Sequence, residues 1–264
     1  EKAIRQVDQL EAFFRRFPDV PREVIVKEDV LRLGVRFSDS ALDAARGARK
    51  KTNFLFTADR ATQSAIAEKV GARAPEDFKI YGGAYGLRRT MIRSRLSDSS
   101  PYTIKVVEGQ LKLVADDIQI AEVEYSPEPR YYSKTFEDGT PYSQLATTLY
   151  GGHQVFVTPF HHCQLWDDGN ECRYCDIGAT VRLRRTVGQK IGADELVPDV
   201  DHAAEAVAAA FSEEWDAPEY RPKAITLSGG SVVRGLRGMN EVDFYLEYVR
   251  AIRERVGGRW PICL

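Results

Sequence analysis

The chain has 264 residues, of which 43% are hydrophobic and 29% charged, and its formal net charge is −2. This balance is typical of a globular protein with one large domain or two ordinary ones. A slightly acidic chain lacks the broad positive field that favours nucleic acid, and no apolar run approaches the roughly 20 residues that cross a bilayer. We therefore expect a protein without a membrane segment and poorly suited to nucleic acid.

The cysteine content and the N-terminal segment indicate the compartment. Four cysteines are too few for a disulfide scaffold, and the charged amphipathic segment 1–17 lacks the apolar region of a signal peptide. We therefore expect a cytoplasmic protein whose thiols stay reduced.

Residues 1–149 predict a mixed α+β domain. Helical periodicity appears in three segments, at residues 2–17, 40–51 and 60–70. The apolar segment 52–57 predicts a short buried strand.

A β meander is predicted towards the end of this domain. Apolar and polar residues alternate over 102–125, with turn signals at Glu108-Gly109 and Asp116-Asp117. The segment 126–146 is rich in Pro, Gly and Tyr and has no clear period. We interpret it as a linker or a covering loop whose tyrosines pack between the two domains.

Residues 150–264 predict a second domain with alternating strands and helices. Strands are predicted at 154–160, 223–230 and 260–264, and helices at 198–215 and 240–258. This order predicts the start of a parallel α/β unit, in which chemistry lies in the loops that follow the strands. The chain stops inside the third strand, so we expect a fragment of a longer protein or a sheet that another chain completes.

Three of the four cysteines, Cys163, Cys172 and Cys175, lie in the loop after the first of these strands. Their C-x8-C-x2-C spacing places two thiols on one turn and a third in the same loop. A structural zinc site takes four closed ligands, and an iron–sulfur cluster is normally held by four cysteines. Three cysteines leave one position open, which a catalytic metal centre needs.

The order of strand, cysteine loop, helix, strand and Gly-Gly resembles the first part of a radical S-adenosylmethionine (SAM) enzyme. The segment Cys172-Arg173-Tyr174-Cys175 is similar to the second half of that family's C-x3-C-x2-C pattern, with an aromatic residue before the last cysteine. The sequence LSGGS at 227–231 resembles the family's Gly-Gly-Glu motif. The chain departs from the family in the eight-residue first interval and in Ser231, which replaces the Glu.

This resemblance implies a partial (β/α)6 TIM-like barrel preceded by the α+β domain. It implies that Cys163, Cys172 and Cys175 hold a [4Fe-4S] cluster whose fourth iron is chelated by SAM. It also implies that Tyr174 lies by the adenine, and that SAM is contacted by the residues of the second loop, Ser228, Gly229, Gly230 and Ser231. A flavodoxin- or ferredoxin-type protein would supply the electron, and a small molecule or peptide would lose a hydrogen atom.

A second interpretation is a zinc- or Fe–S-stabilised binding protein that engages an anionic partner through arginine-rich segments. Zinc would take the three cysteines and one of His153, His161 and His162. The arginine-rich segments are 86–96, which holds Arg88, Arg89, Arg93 and Arg95, and 182–188. Guanidinium groups bind carboxylate or phosphate, but such a charge run is more often a solvated face.

The remaining polar residues of the cysteine loop have ordinary interpretations. We expect His161 and His162 to bond backbone groups, and we expect a solvated bulge at Asp167, Asp168 and Glu171. Cys263 is predicted to be a buried apolar residue on the third strand, because free cysteine usually behaves as a small hydrophobe.

Overall fold

The structure is a computed structural model, and it describes residues 5–50, 73–149, 151–170, 172–173, 175, 177, 196–215 and 217–264. The chain divides into two compact units, Glu1–Glu128 and Pro129–Leu264. This division falls earlier in the chain than the change of sequence pattern at residue 150. The predicted strand at 52–57 and the predicted helix at 60–70 lie outside the described residues.

The described helices are α1 (Gln6–Arg16), α2 (Arg22–Leu33), α3 (Asp39–Asp43), α4 (Tyr142–Leu145), α5 (Gln164–Asp167), α6 (Val200–Ser212) and α7 (Glu241–Val256). Among the described residues, short 3₁₀ helices lie at Gly83–Tyr85, Arg130–Ser133 and Pro218–Tyr220. The described strands are β1 (Arg36–Phe37), β2 (Asp77–Gly82), β3 (Leu87–Arg93), β4 (Thr103–Val107), β5 (Gln110–Ala115), β6 (Ile118–Tyr125), β7 (Thr147–Leu149), β8 (Gln154–Val157), β9 (Ala224–Leu227) and β10 (Ile262–Cys263).

The first unit is built on a six-stranded sheet of order β1-β4-β5-β6-β2-β3. Of the strand pairs that the structure describes in this sheet, only β1–β4 is parallel. The predicted meander is confirmed as β4, β5 and β6. Its tight turns use left-handed backbone at Glu108-Gly109 and at Asp116-Asp117. Gly and Asp tolerate positive φ, whereas Glu rarely adopts it. Helices α1 and α2 bury Leu10, Val26 and Val30 in the same core as the strands.

The helix predicted at 40–51 is wrong beyond α3, which ends at Asp43. Ala48 and Lys50 form isolated bridges to Pro127 and Pro75, so the backbone is extended there. Extension carries the Arg49 guanidinium into the core, where it pairs with the Asp77 carboxylate. A buried ion pair therefore overrides the helix propensity of an Ala-rich segment.

The second unit contains a four-stranded sheet of order β10-β9-β8-β7. Strands β8, β9 and β10 are parallel, as the sequence predicts, and β7 adds an antiparallel edge that was not predicted. The sheets have mixed orientation, and the described strands form no closed barrel. The fold is therefore mixed α/β.

Side-chain caps fix where the two long helices of this unit begin. The Asp199 carboxylate accepts the His202 N–H at the start of α6, and the Asn240 amide oxygen accepts the Asp243 N–H at the start of α7. Both helices lie in one core with alternate strand residues. Its strand members are Val155, Val157, Ile225 and Leu227, and its helical members include Ala203, Val207, Phe244 and Tyr248.

The segment 126–146, interpreted as a linker, contributes Tyr131, Phe136 and Tyr142 to this core. The Tyr131 hydroxyl donates to the Ala146 carbonyl, so a buried phenol keeps a partner. The described helices include none that is long and apolar enough to cross a membrane.

Candidate functional site

Two loops meet at the carboxyl edge of the parallel strands. The Ser228 N–H donates to the Val157 carbonyl at 3.0 Å, and the Gly230 N–H donates to the Phe160 carbonyl at 3.0 Å. The loop after β8, which carries the cysteines, therefore lies directly against the loop after β9, which carries Gly229-Gly230. The expectation that both loops lie on one edge of the sheet is confirmed.

The two glycines allow backbone to touch backbone between these loops. A Cβ added to Gly230 would lie 1.6 Å from the His162 carbonyl oxygen and 2.5 Å from the Cys163 Cα. A Cβ on Gly229 would lie 2.6 Å from the Phe160 carbonyl oxygen. All three distances are shorter than real Cβ contacts, so a side chain at either position would push the loops apart.

The Cys163 thiol is held at this junction. Cys163 is buried, with 8% of its surface exposed, and its Sγ accepts the Ser231 N–H at 3.4 Å. The Ser231 carbonyl in turn accepts the Gln164 N–H at 3.1 Å. Ser231 thus contacts the cysteine loop through both of its backbone polar groups, which do not depend on its side chain.

Cys172 and Cys175 lie on one turn, as the C-x-x-C spacing predicts. The Cys175 N–H donates to the Cys172 carbonyl at 2.9 Å, and Cys172 is exposed while Cys175 is half-buried. Tyr174, between them, lies outside the described residues. Within the described ranges, no three or more His, Cys, Asp and Glu residues form a group that could hold a metal ion.

The bulge between the first two cysteines is exposed at Asp167 and Asp168, as expected for a solvated bulge, and both side chains are also ion-paired. The Asp168 carboxylate accepts two bonds from the Arg234 guanidinium, at 2.6 and 2.7 Å, and Asp167 accepts a third at 3.1 Å. His162 Nε2 lies 2.8 Å from the other Asp167 oxygen. These groups are between one third and one half exposed, so each pair contributes at most about 1 kcal/mol. Glu171 lies outside the described residues.

The histidines of the zinc interpretation are not gathered with the cysteines. His153 precedes β8, whereas Cys163 follows that strand, so the two residues lie at opposite ends of it. His162 is engaged by Asp167, and the His161 N–H donates to the Leu196 carbonyl at 2.7 Å. The bond of His161 is made by its backbone N–H and does not test the expectation for its ring, whereas the His162 ring bonds a carboxylate and not a backbone group.

Helix α7 contributes two residues that were not predicted from the sequence. The Tyr245 hydroxyl donates to the Gly230 carbonyl at 3.3 Å, and the Glu241 carboxylate accepts the Val232 N–H at 3.0 Å. Burial, helped by the charges of Glu241 and Cys163, raises the pKa of Tyr245 to about 12. The phenol is therefore a neutral donor at ordinary pH. Their spacing of four residues on the first turn after the Gly-Gly loop is the signal that could have found them.

The prediction that Cys263 is buried is wrong. Cys263 is exposed, and it lies beside Thr226 in the parallel register of β10 and β9. The core instead takes Ile225 and Leu227 of β9. Successive strand residues point to opposite faces, so Cys263 falls on the face turned away from that core.

The arginine-rich segment 86–96 is engaged within the first unit. Arg88 pairs with Glu23, Arg89 pairs with Glu124, and Arg93 pairs with Glu76. Arg95 donates to the Arg32 carbonyl at 2.7 Å. Each of the four guanidinium groups thus has a partner in its own unit, which is the ordinary interpretation of such a charge run. The second segment, 182–188, lies outside the described residues.

Comparisons of the chain with protein-family models, with curated proteins and with solved structures find no match. The resemblance to radical SAM enzymes therefore stays a prediction made from the residues themselves.

Proposed function

We propose that this chain carries the cysteine loop and the Gly-Gly loop of a radical SAM enzyme. One observation carries the proposal: the two loops follow adjacent parallel strands and lie in backbone contact at Cys163, Gly230 and Ser231. The finer architecture that this implies is the start of a partial (β/α)6 barrel. A reducing cytoplasm would suit its free thiols.

The donor set fits a [4Fe-4S] cluster in its chemistry. Cys163, Cys172 and Cys175 would supply three thiolates and leave one iron for SAM. The Ser231 N–H on Cys163 Sγ is the kind of hydrogen bond to sulfur that tunes the reduction potential of a cluster. The C-x-x-C turn brings Cys172 and Cys175 close in the backbone, whereas the described residues do not place Cys163 in one group of donors with them.

When bound, the cluster would supply the electron that cleaves a C–S bond of SAM and so starts hydrogen-atom abstraction from a substrate. The chain's own residues would bind and orient. Gly229 and Gly230 would keep the second loop against the cysteine loop, and Ser228, Ser231 and Tyr174 are proposed to contact SAM. The Tyr245 hydroxyl would hold the Gly230 carbonyl in place. A flavodoxin- or ferredoxin-type protein is the proposed electron donor.

Anaerobic reconstitution tests the proposal. The chain is incubated with iron, sulfide, dithionite and SAM, and iron, zinc, methionine and 5′-deoxyadenosine are measured. We expect about four irons per chain and formation of 5′-deoxyadenosine. Cys172→Ala should lose both, whereas Cys263→Ala, a matched change at an exposed cysteine outside the loop, should lose neither.

Two results would contradict the proposal. The first is zinc bound to the wild-type chain with no uptake of iron, which would favour the zinc-stabilised interpretation. The second is a cluster that Cys172→Ala leaves unchanged, which would refute the ligand assignment.

A further inference from the structure

A buried polar side chain follows Cys163 directly in the sequence. Gln164 is only 9% exposed, although its amide carries two donors and two acceptor sites. A buried amide loses its hydration and is stable only where protein groups replace the water. The bonds that replace the water therefore show what this side chain does.

The Gln164 amide bonds three consecutive backbone groups of the loop after β9. Its Oε1 accepts the Val233 N–H at 2.8 Å and the Arg234 N–H at 2.7 Å, and its Nε2 donates to the Gly235 carbonyl at 3.0 Å. Its backbone N–H donates to the Ser231 carbonyl at 3.1 Å. One residue of the cysteine loop thus makes four hydrogen bonds to residues 231–235.

These bonds act on the neighbouring thiol. The residue that receives the Gln164 N–H, Ser231, is also the one whose N–H reaches Cys163 Sγ. If residues 231–235 moved away from Gln164, the Ser231 N–H would leave the sulfur with them. We propose that Gln164 is a positioning residue that holds the Cys163 thiol against the Ser231 N–H. The placement of the thiol does not depend on the proposed function. Only its purpose, which is to present the first cluster ligand, rests on that function.

A second set of bonds joins the same loops at the solvent-exposed surface. We call the Gln164 bonds and this second set the two clamps. Arg234 pairs with Asp167 and Asp168, but those side chains are 41% to 50% exposed. Exposed ion pairs are weak and are screened by salt, whereas bonds made by a buried amide are not. Added salt should therefore weaken the Arg234 ion pairs and not the Gln164 hydrogen bonds, which distinguishes the two clamps.

The test measures thiol alkylation in the reduced, metal-free full chain, so it does not depend on cluster binding. The chain is treated with iodoacetamide, and mass spectrometry of peptides gives a separate rate for each cysteine. In the wild type, buried Cys163 should react more slowly than exposed Cys172. Gln164→Leu should raise the Cys163 rate by about tenfold, because three backbone groups lose their partner. The Cys172 rate should stay unchanged.

Matched variants control for volume and for global unfolding. Gln144→Leu makes the same change at an exposed glutamine of the same unit and should leave every rate unchanged. Gln164→Asn keeps the amide but is one methylene too short to reach three partners, so a rise of about threefold is expected. Circular dichroism confirms that each variant is folded.

Three results would overturn the proposal. One is a folded Gln164→Leu chain whose Cys163 rate stays within about twofold of the wild type. Another is a wild-type chain in which about 0.5 M salt alone gives the tenfold rise, because the exposed ion pairs would then be the clamp. The third is failure of both Gln164 variants to fold, since Gln164 would then be needed for the whole unit. A wild-type chain that takes up no iron refutes the proposed function but not this placement of the thiol.

Discussion

The two units differ in whether the groups that could bind a partner are already engaged by the fold. In the first unit, polar groups bond one another inside the fold. Asp77 bonds the Arg49 guanidinium and the Ser126 hydroxyl, and all three residues are buried. In the second unit, loops after parallel strands hold Cys163 by backbone contacts and leave Cys172 exposed. The difference teaches that a dense set of charges is weak support for a binding site when each charge already has a partner.

The largest effect on stability is expected at the buried pair of the first unit. Arg49→Met removes the guanidinium from a buried carboxylate and should lower the free energy of unfolding of this unit by about 3–5 kcal/mol. All three tryptophans, Trp166, Trp215 and Trp260, lie in the second unit, so their fluorescence reports that unit alone. Urea unfolding should show an earlier transition by circular dichroism and an unchanged tryptophan transition. A loss below about 1 kcal/mol would contradict a structural role for the pair.

The next effect is expected where the two loops touch. Gly230→Ala places a methyl group against the His162 carbonyl and should lower the stability of the second unit by about 1–3 kcal/mol, read by tryptophan fluorescence. Gly47→Ala is the matched control in the first unit, because nothing lies within 4 Å of its added Cβ. Its stability is measured by circular dichroism, since the tryptophans report only the second unit. An equal loss in both variants would mean that the loop contact is not what makes Gly230 necessary.

A smaller, pH-dependent effect is expected at Tyr245. Its pKa is raised from 10.0 to about 12 in the folded chain, so between these pH values the unfolded chain binds fewer protons. The contribution of Tyr245 to stability is therefore complete below pH 10 and is lost as pH rises towards 12. Tyr245→Phe should weaken the fall in stability between pH 9 and pH 11, measured by urea unfolding. Identical slopes in wild type and variant would contradict the burial of the phenol.

The smallest effect is expected at an exposed pair of the first unit. Arg89→Gln breaks the pair with Glu124, in which both side chains are about one third to one half exposed. The free energy of unfolding should fall by at most about 1 kcal/mol, and added salt should remove most of the difference. A loss of stability comparable to that of Arg49→Met would show that the exposure of an ion pair does not determine its contribution to stability.

The elements that follow local chemical rules were predictable from the sequence. The capping residues Asp199 and Asn240 mark the beginnings of α6 and α7, and turn residues mark the meander. Helix α2 was not predicted, because its β-branched residues Val24, Ile25 and Val26 obscure the four-residue spacing of the buried Val26 and Val30.

The features that depend on distant residues were not predictable. Extension at Arg49 is set by Asp77, which is far along the chain, and Gln164 bonds residues nearly seventy positions away. For the candidate site, the placement of the cysteines and the glycines after parallel strands predicted that the two loops would lie on one edge of the sheet. The role of the glycines in packing loop against loop could not be predicted, because no single sequence shows which backbone approaches them.

The different chemical demands at positions 230 and 231 have a consequence for sequence tolerance. The atoms that a Cβ at Gly230 would strike belong to backbone, so no rotamer change makes room, and a saturation library selected for stability should be enriched in glycine at this codon. Position 231 joins the loops through its backbone N–H and carbonyl, so the library should accept most side chains there and reject proline, which has no N–H. A serine can therefore stand where the resembling enzymes have a glutamate without loosening the junction.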